Sequence, residues 1–442
     1  MEVFVENLAA YFLVGIFIAI VLFYYLKSKK RQSVSTEAKI QKAIEYGFHE
    51  PVSLHPVIDY DICIGSGACV AACPEKDILG LVNGKAKTIN ASHCVGHGAC
   101  FHACPVQAIS LVMGTEKRGV ELPHVSQYYE TNVPGVFIAG ELGGMGLIKN
   151  AVEQGKLAME NITGKLKNFS KSKLDVIIVG AGPSGISASL TAKKNNLNFI
   201  TLEQDTLGGT VFAFPRAKVV MTSPMELPLH GRVKLTETSK IELLKLWHDV
   251  LNKNNIKINE SEKVLEINKH EGMFEVVTSK QTYETSTVLL TIGRRGSPRK
   301  LGVPGEEKEK VTYRLLEPEL IHDKNILVVG GGDSAIESAL LLAEEKNNVT
   351  LSYRGESFSR LKPKNLDKIN NAGKNKTIKV ILNSNVKEIL DDSIIIESKE
   401  EGTASLENDL VYIFAGGELP NKFLEKIGIR ITKKFGETIL KH

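Results

Sequence analysis

All six cysteines of the chain lie between Cys63 and Cys104, in two copies of one spacing. The first copy is Cys63-x5-Cys69-x3-Cys73-Pro74 and the second Cys94-x5-Cys100-x3-Cys104-Pro105, displaced by 31 residues at every cysteine. Cysteines clustered in this way are candidate metal ligands or disulfide partners. Zinc modules favour shorter cysteine pairs, so the x5-x3 spacing fits them poorly. Disulfides belong to oxidising compartments, and the placement derived below is a reducing one.

A cysteine ladder that ends in Cys-Pro and is doubled at this offset resembles the bacterial two-cluster ferredoxin, in which the last cysteine of each run ligates the other cluster. The resemblance implies electron transfer, with one cluster held by Cys63, Cys69 and Cys104 and the other by Cys94, Cys100 and Cys73. The ferredoxin box carries a further cysteine between the first two of each run, and here Ser66 and His97 stand in its place. Three thiolates suit a 3Fe-4S cluster, or a 4Fe-4S cluster whose last iron takes another ligand. Ser66 and His97 are then either that ligand, imidazole being acceptable to iron, or loop residues beside a vacant corner.

Leu8 to Leu26 is a 19-residue run without a charge. As a helix it extends about 28 Å, against a hydrocarbon core of about 30 Å. Lys27, Lys29, Lys30 and Arg31 follow it, and Glu2 and Glu6 precede it. The positive-inside rule places everything after Lys27 in the cytoplasm, behind a single-pass anchor in the cell inner membrane. A cleaved signal peptide would carry its basic residues ahead of the run, the reverse of this order. The net charge of +4 gives no reason to expect a nucleic-acid partner.

After the cysteine region, Asp175–Val179 reads as a strand that runs into Gly180-x-Gly182-x-x-Gly185 and then a helix. In a dinucleotide-binding unit the first glycine makes the tight turn, the second admits the pyrophosphate and the third lets helix and strand approach. A second strand, Asn198–Leu202, ends on Glu203, where an acceptor for a ribose 2′-hydroxyl belongs, and Gly208-Gly209 makes another close-approach turn. The same grammar recurs in Gly330-x-Gly332-x-Ser334-Ala335, with Tyr353 in the acid's position, Arg354 beside it and Arg360 and Lys362 nearby. Loss of the acid and gain of an arginine favour NADP over NAD.

GAGPSG, the strand ending TIGRRG (291–296, with Gly293) and GGGDSAIE resemble the thioredoxin-reductase-type flavoproteins over 173–442. The resemblance implies FAD on Gly180, Gly182, Gly185 and Glu203, and the nicotinamide nucleotide on Gly330, Gly332, Ala335 and Arg354. The family's second phosphate arginine is Gly355 here, which leaves NAD open. Thioredoxin reductases proper carry a Cys-x-x-Cys ahead of the second glycine motif. Residues 313–324 contain no cysteine and none follows Cys104, so exchange through a protein dithiol is excluded in that half, and the ferredoxin–NADP reductases of the family, or its reductase-like proteins without the dithiol, are the nearer pattern.

The family closes its FAD domain with a carboxy-terminal T-x-V-P-G-V-F-A-A-G-D segment and a helix. Here that segment lies ahead of the first glycine motif, as Thr131 to Glu141 with Gly140, followed by a helical pattern over Leu147–Ile162. A circular permutation is implied, with Glu141 in the place of the family's flavin-side aspartate. Seven residues between Leu111 and Gly119 then join the cysteine module to the FAD domain, a short connection that favours fixed geometry.

The expected architecture is α/β, with two Rossmann-like domains for FAD and NAD(P), the FAD domain circularly permuted. A small α+β ferredoxin-like domain and one N-terminal transmembrane helix complete it. The expected boundaries are an anchor (1–31), a tether (32–54) helical near Glu37–Tyr46, the two-cluster domain (55–114) and the permuted segment (115–165). The FAD domain (173–296), the NAD(P) domain (297–427) and a return to the FAD domain (428–442) follow. The expected activity is NAD(P)H-dependent flavin and iron–sulfur electron transfer to an acceptor, a protein or a small molecule, that the sequence does not name. A homodimer is a compatible assembly. Direct flavin reduction of small disulfides is one alternative, and redox sensing or assembly without sustained turnover is another. No residue reads as a catalytic acid or base, and His124, His230, His248 and His322 read as surface or helix-end residues.

Overall fold

The computed structural model describes residues 2–441 apart from 52–53, 118, 145, 170–171, 215–218, 223, 236, 271, 295–297 and 359–360. The chain divides into two compact units, 1–120 with 434–442, and 121–433.

In the first unit the apolar run is part of one helix, α1 (Glu2–Glu45), with Tyr11 to Leu26 exposed throughout. The expected tether is helical over most of its length. No glycine or proline interrupts residues 16–46, and Gly47 (φ 73°) ends the helix in the left-handed conformation that glycine accepts. Ser33, Thr36 and Ala43 form a buried stripe on this extension and pack on β2 (Leu79–Val82). β2 pairs with β3 (Lys85–Thr88) across a turn at Asn83-Gly84, both with positive φ. β1 (Leu54–Ile58) pairs antiparallel with β4 (Ile109–Met113). Two short helices, α2 (Ala68–Ala72) and α3 (Ala99–His102), start from Gly67 and Gly98, whose φ values of 77° and 72° match. The sequence repeat is thus a structural repeat. The last strand, Glu437–Leu440, pairs with β4. This corrects the expected return of 428–442 to the FAD domain, which holds only for its start: Ile429 is buried in the core of the second unit.

In the second unit a parallel sheet runs Ile258–Asn259, Phe199–Leu202, Leu174–Val179, Thr282–Leu290. Thr282–Leu290 also turns into an antiparallel meander with Met273–Thr278 and Val264–His270. Val136–Ile138 pairs in parallel with the end of Thr282–Leu290, Val136 opposite Val288. The strand that comes first in the chain therefore fills the sheet's closing position. Its helix, α4 (Ile148–Lys165), packs on α5 (Pro183–Lys194), the helix of the first glycine turn. The approach is backbone on side-chain space: a Cβ on Gly155 would stand 2.1 Å from the Ser184 carbonyl oxygen. α6 (Lys240–Lys253) adds Trp247, fully buried with Leu190 and Leu243. A second parallel sheet runs Val311–Thr312, Leu410–Ile413, Asn325–Val329, Asn348–Ser352, Ile378–Ile381, with α7 (Asp333–Glu344) after its glycine turn.

The α4–α5 contact gives a paired prediction. Gly155→Ala overpacks against backbone and lowers stability by about 1–3 kcal/mol. Gly164→Ala in the same helix meets open space and raises it by about 0.5–1 kcal/mol. Thermal or denaturant unfolding of the two variants checks both signs.

Candidate functional site

The cysteine module brings the thiols together as two crossed trios. Cys63, Cys69 and Cys104 line one cavity with Gly65, Ser66 and Ala108. Burial raises the Cys69 thiol pKa, and the neighbouring Cys104 and Cys63 add to the rise. Burial likewise pushes Cys94 to about 11, and the Cys73 thiol adds to the rise. Cys100 rises to about 12 by burial, with Cys94 and then Cys73 reinforcing it. Burial also raises Cys73. All six are free of disulfides.

Among the described residues no three His, Cys, Asp or Glu side chains converge as on a single ion. Cys63, Cys69 and Cys104 around one cavity fit thiolates that stand around a body several atoms across, and the fit is to a cluster. Backbone amides already point at the sulfurs: Ala108 N–H lies 3.2 Å from Cys104 Sγ and Ala86 N–H 3.5 Å from Cys63 Sγ. Such donors tune the potential of a cluster held there. Ser66 is exposed and its Oγ accepts from Ala68 N at 3.4 Å; His97 is half-buried.

The first glycine turn is built as its pattern demands. Gly180 has φ 105°, and a Cβ there would meet Thr291 O at 2.7 Å. A Cβ on Gly185 would come within 1.9 Å of Gly180 O. Gly182 faces open space, which is what a pyrophosphate needs. Glu203, 6% exposed, accepts from Ala181 N (2.7 Å) and Asp205 N (3.0 Å). Burial raises its carboxyl pKa despite these donors. Gly208 (φ 106°) donates to Ala181 O, and Gly209 (φ 53°) stands against Gly182.

Gly140 (φ 83°) donates to Gln154 Oε1 at 2.9 Å and opens the short turn that starts at Glu141. Burial lowers the Arg294 pKa, and the Glu141 carboxylate, then Glu121, offsets part of that fall. Gly293 (φ 69°) precedes Arg294 in the open. Residues 295 and 296 of the TIGRRG segment, and Arg360, lie outside the described residues. Sequence reasoning missed Ser184, Thr291 and Gln154. Ser184 Oγ is buried in the first turn of α5 without a hydrogen-bond partner. An orphaned hydroxyl beside the open Gly182 fits an anion that the helix terminus would also bind.

At the second turn Gly330 (φ 144°) packs on Phe414 O, Gly332 faces open space, and Ala335 is buried behind it. Ser334 and Arg354 are exposed. The Tyr353 ring lies over the turn: a Cβ on Gly331 would stand 2.3 Å from it and one on Gly355 2.7 Å. It also stacks on Phe358 at 5.4 Å and 12°. The glycine in place of the family's second arginine therefore makes room for this ring. The four histidines His124, His230, His248 and His322 are exposed, as expected.

The crossed trios predict which cysteines act together. Cys104→Ser gives the iron content and electron paramagnetic resonance (EPR) spectrum of Cys63→Ser, and Cys73→Ser gives those of Cys94→Ser. Pairing by sequence copy instead, Cys104 with Cys94, contradicts the crossing.

Residues 177–441 match the model of the pyridine nucleotide-disulphide oxidoreductase family, and residues 55–105 that of a 4Fe-4S dicluster domain. The chain is 30% identical to bacilliredoxin reductase Bdr of Bacillus subtilis over 59% of this chain and 82% of that protein. It is 27% identical to a ferredoxin–NADP reductase of Ignicoccus hospitalis over 59% and 83% of the two. The solved bacillithiol disulfide reductase Bdr from Staphylococcus aureus shares 27% identity over 59% of this chain and 82% of that one, with a TM-score of 0.52. With its flavin-type fold and its thiol module, the chain belongs to the pyridine nucleotide-disulphide oxidoreductase family, as an NAD(P)H-dependent flavin and iron–sulfur oxidoreductase.

Proposed function

We propose that the protein is held in a membrane by α1 and passes electrons between NADPH, FAD, two iron–sulfur clusters and an acceptor outside the chain. The observation that carries this reading is the confinement of every thiol to the two trios. No cysteine follows Cys104, so a dithiol beside the flavin is absent and the trios are the one redox-competent set of side chains built into the fold. When bound, FAD supplies the exchange between a hydride pair and single electrons, and each cluster supplies a place for one electron.

The chain's own residues position these groups. Gly180, Gly182, Gly185 and Ser184 seat the FAD pyrophosphate on α5, and Glu203 accepts from its ribose. Gly140 and Glu141 border the flavin side, Gly208 and Gly209 the opposite wall, and Gly293 the exit of the strand. Gly330, Gly332, Ser334 and Ala335 cradle the nicotinamide nucleotide, with Arg354 on a 2′-phosphate. Tyr353 supports the preference for NADPH because it puts an uncharged ring where an acid would repel that phosphate. Arg354→Ala is expected to raise the KM for NADPH by about ten- to a hundredfold, the worth of one charge-assisted hydrogen bond, and to leave NADH unchanged.

A second reading, direct reduction of a small disulfide at the flavin, is favoured by the similarity to Bdr proteins. Steady-state NADPH oxidation by the full chain separates the two. With cytochrome c as acceptor, the Cys63→Ser/Cys94→Ser variant is expected to lose turnover. Sustained turnover of a small disulfide by that variant favours the second reading instead.

A further inference from the structure

The two thiol trios stand at different heights along α1. Ser33 Oγ donates to Asn83 Oδ1 and accepts from Asn83 N, both at 3.1 Å. One turn on, Thr36 fills the space over Gly80, where a Cβ would come within 2.6 Å of its Cγ2. Lys39 then meets Asp77 at 2.9 Å. Beyond the helix, Phe48 lies against His93 at 4.8 Å, and its carbonyl accepts from Ser92 N.

The Cys63 loop belongs to the first of these levels. A Cβ on Gly65 would be 1.9 Å from Gly84 O, and Lys85 Nζ donates to Tyr60 O (2.8 Å) and Cys63 O (2.7 Å). Cys73 and Cys94 belong to the later ones, four residues before Asp77 and directly after His93. Lys39 is six residues past Ser33, a rise of about 9 Å.

Ser33 is seven residues past Leu26, the end of the apolar run. That is about 10 Å of helix, against a headgroup layer of about 5–8 Å per leaflet. The Asn83-Gly84 turn and the loop packed on it therefore lie at the outer edge of the headgroups. The two repeats differ just there. Tyr60, Ile62 and Ile64 are 49%, 48% and 65% exposed. Their counterparts 31 residues on are the buried Ala91, the half-buried His93 and Val95, which is 41% exposed. Three large side chains, Tyr60, Ile62 and Ile64, stand in water in the copy nearest the anchor, against the one smaller Val95 in the other.

We propose that the loop of residues 59–66 seats on the headgroup layer of the membrane that α1 crosses, making Cys63, Cys69 and Cys104 the membrane-side trio. The proposal rests on the anchoring role of α1. The surface is a zwitterionic one: Asp59 Oδ1 accepts from Asp61 N and Ile62 N, and both Asp59 and Asp61 stay exposed in the loop and would repel anionic lipid.

The test uses the full chain reconstituted in phosphatidylcholine vesicles that contain phosphatidylcholine brominated just below the headgroup. Trp247 is fully buried and gives a constant background. Ile64→Trp and Ile62→Trp are expected to lose fluorescence to the brominated lipid, and Val95→Trp to keep it. Iron content checks that each variant retains its module, and Ile62→Trp stands in where Ile64→Trp does not. Equal emission from all three, in protein that floats with the vesicles, overturns the docking and leaves the anchor intact. Protein that stays at the bottom of the flotation gradient overturns the anchor, and the docking with it.

Discussion

The flavin-side half of the molecule depends on one close approach, that of Gly155 in α4 to the Ser184 backbone in α5. Any side chain at 155 would drive the helices apart, and with them the turn that sets the buried Ser184 Oγ beside the open Gly182. α4 precedes α5 in the chain, with Val136–Ile138 paired into the same sheet ahead of it. A segment that other members of the family place last is thus held by the same packing when it comes first. Packing of this kind depends on surface shape and not on chain order, which is why a permuted domain can keep its site.

The glycine turns were legible in the sequence because each requirement is local. A strand, a positive φ at Gly180 and the contact of Gly185 with Gly180 O are set within a dozen residues. The permutation was legible as a displaced motif, and the cysteine repeat as two like turns, each leading into a short helix, at Gly67 and Gly98. What escaped was built from contacts that leave no hydropathy trace. The docked face of α1 is Ser33, Thr36 and Ala43, too small and too polar to mark a buried stripe. The pairing of Glu437–Leu440 with β4 joins residues more than three hundred positions apart, and nothing local announces it. The reason for Gly355 appears only once the Tyr353 ring is seen over it.

Chemically, the fold separates two tasks. The Rossmann-like units offer open glycine turns and an orphaned hydroxyl to nucleotide phosphates, with no thiol among them. The ferredoxin-like module holds all the thiols, and burial takes Cys94 and Cys100 to about 11 and 12, so that these two stay protonated without metal. Cluster assembly there displaces protons and converts inert thiols into ligands.

The account stands most directly on an anaerobic titration of the full chain with NADPH and then NADH, following flavin absorbance and recording EPR on frozen samples. It predicts loss of flavin absorbance followed by a change in the cluster signals, with NADPH the better reductant. Flavin that bleaches while the cluster signals stay fixed would contradict electron passage through the trios. Flavin that does not bleach with either nucleotide would contradict the oxidoreductase mechanism itself.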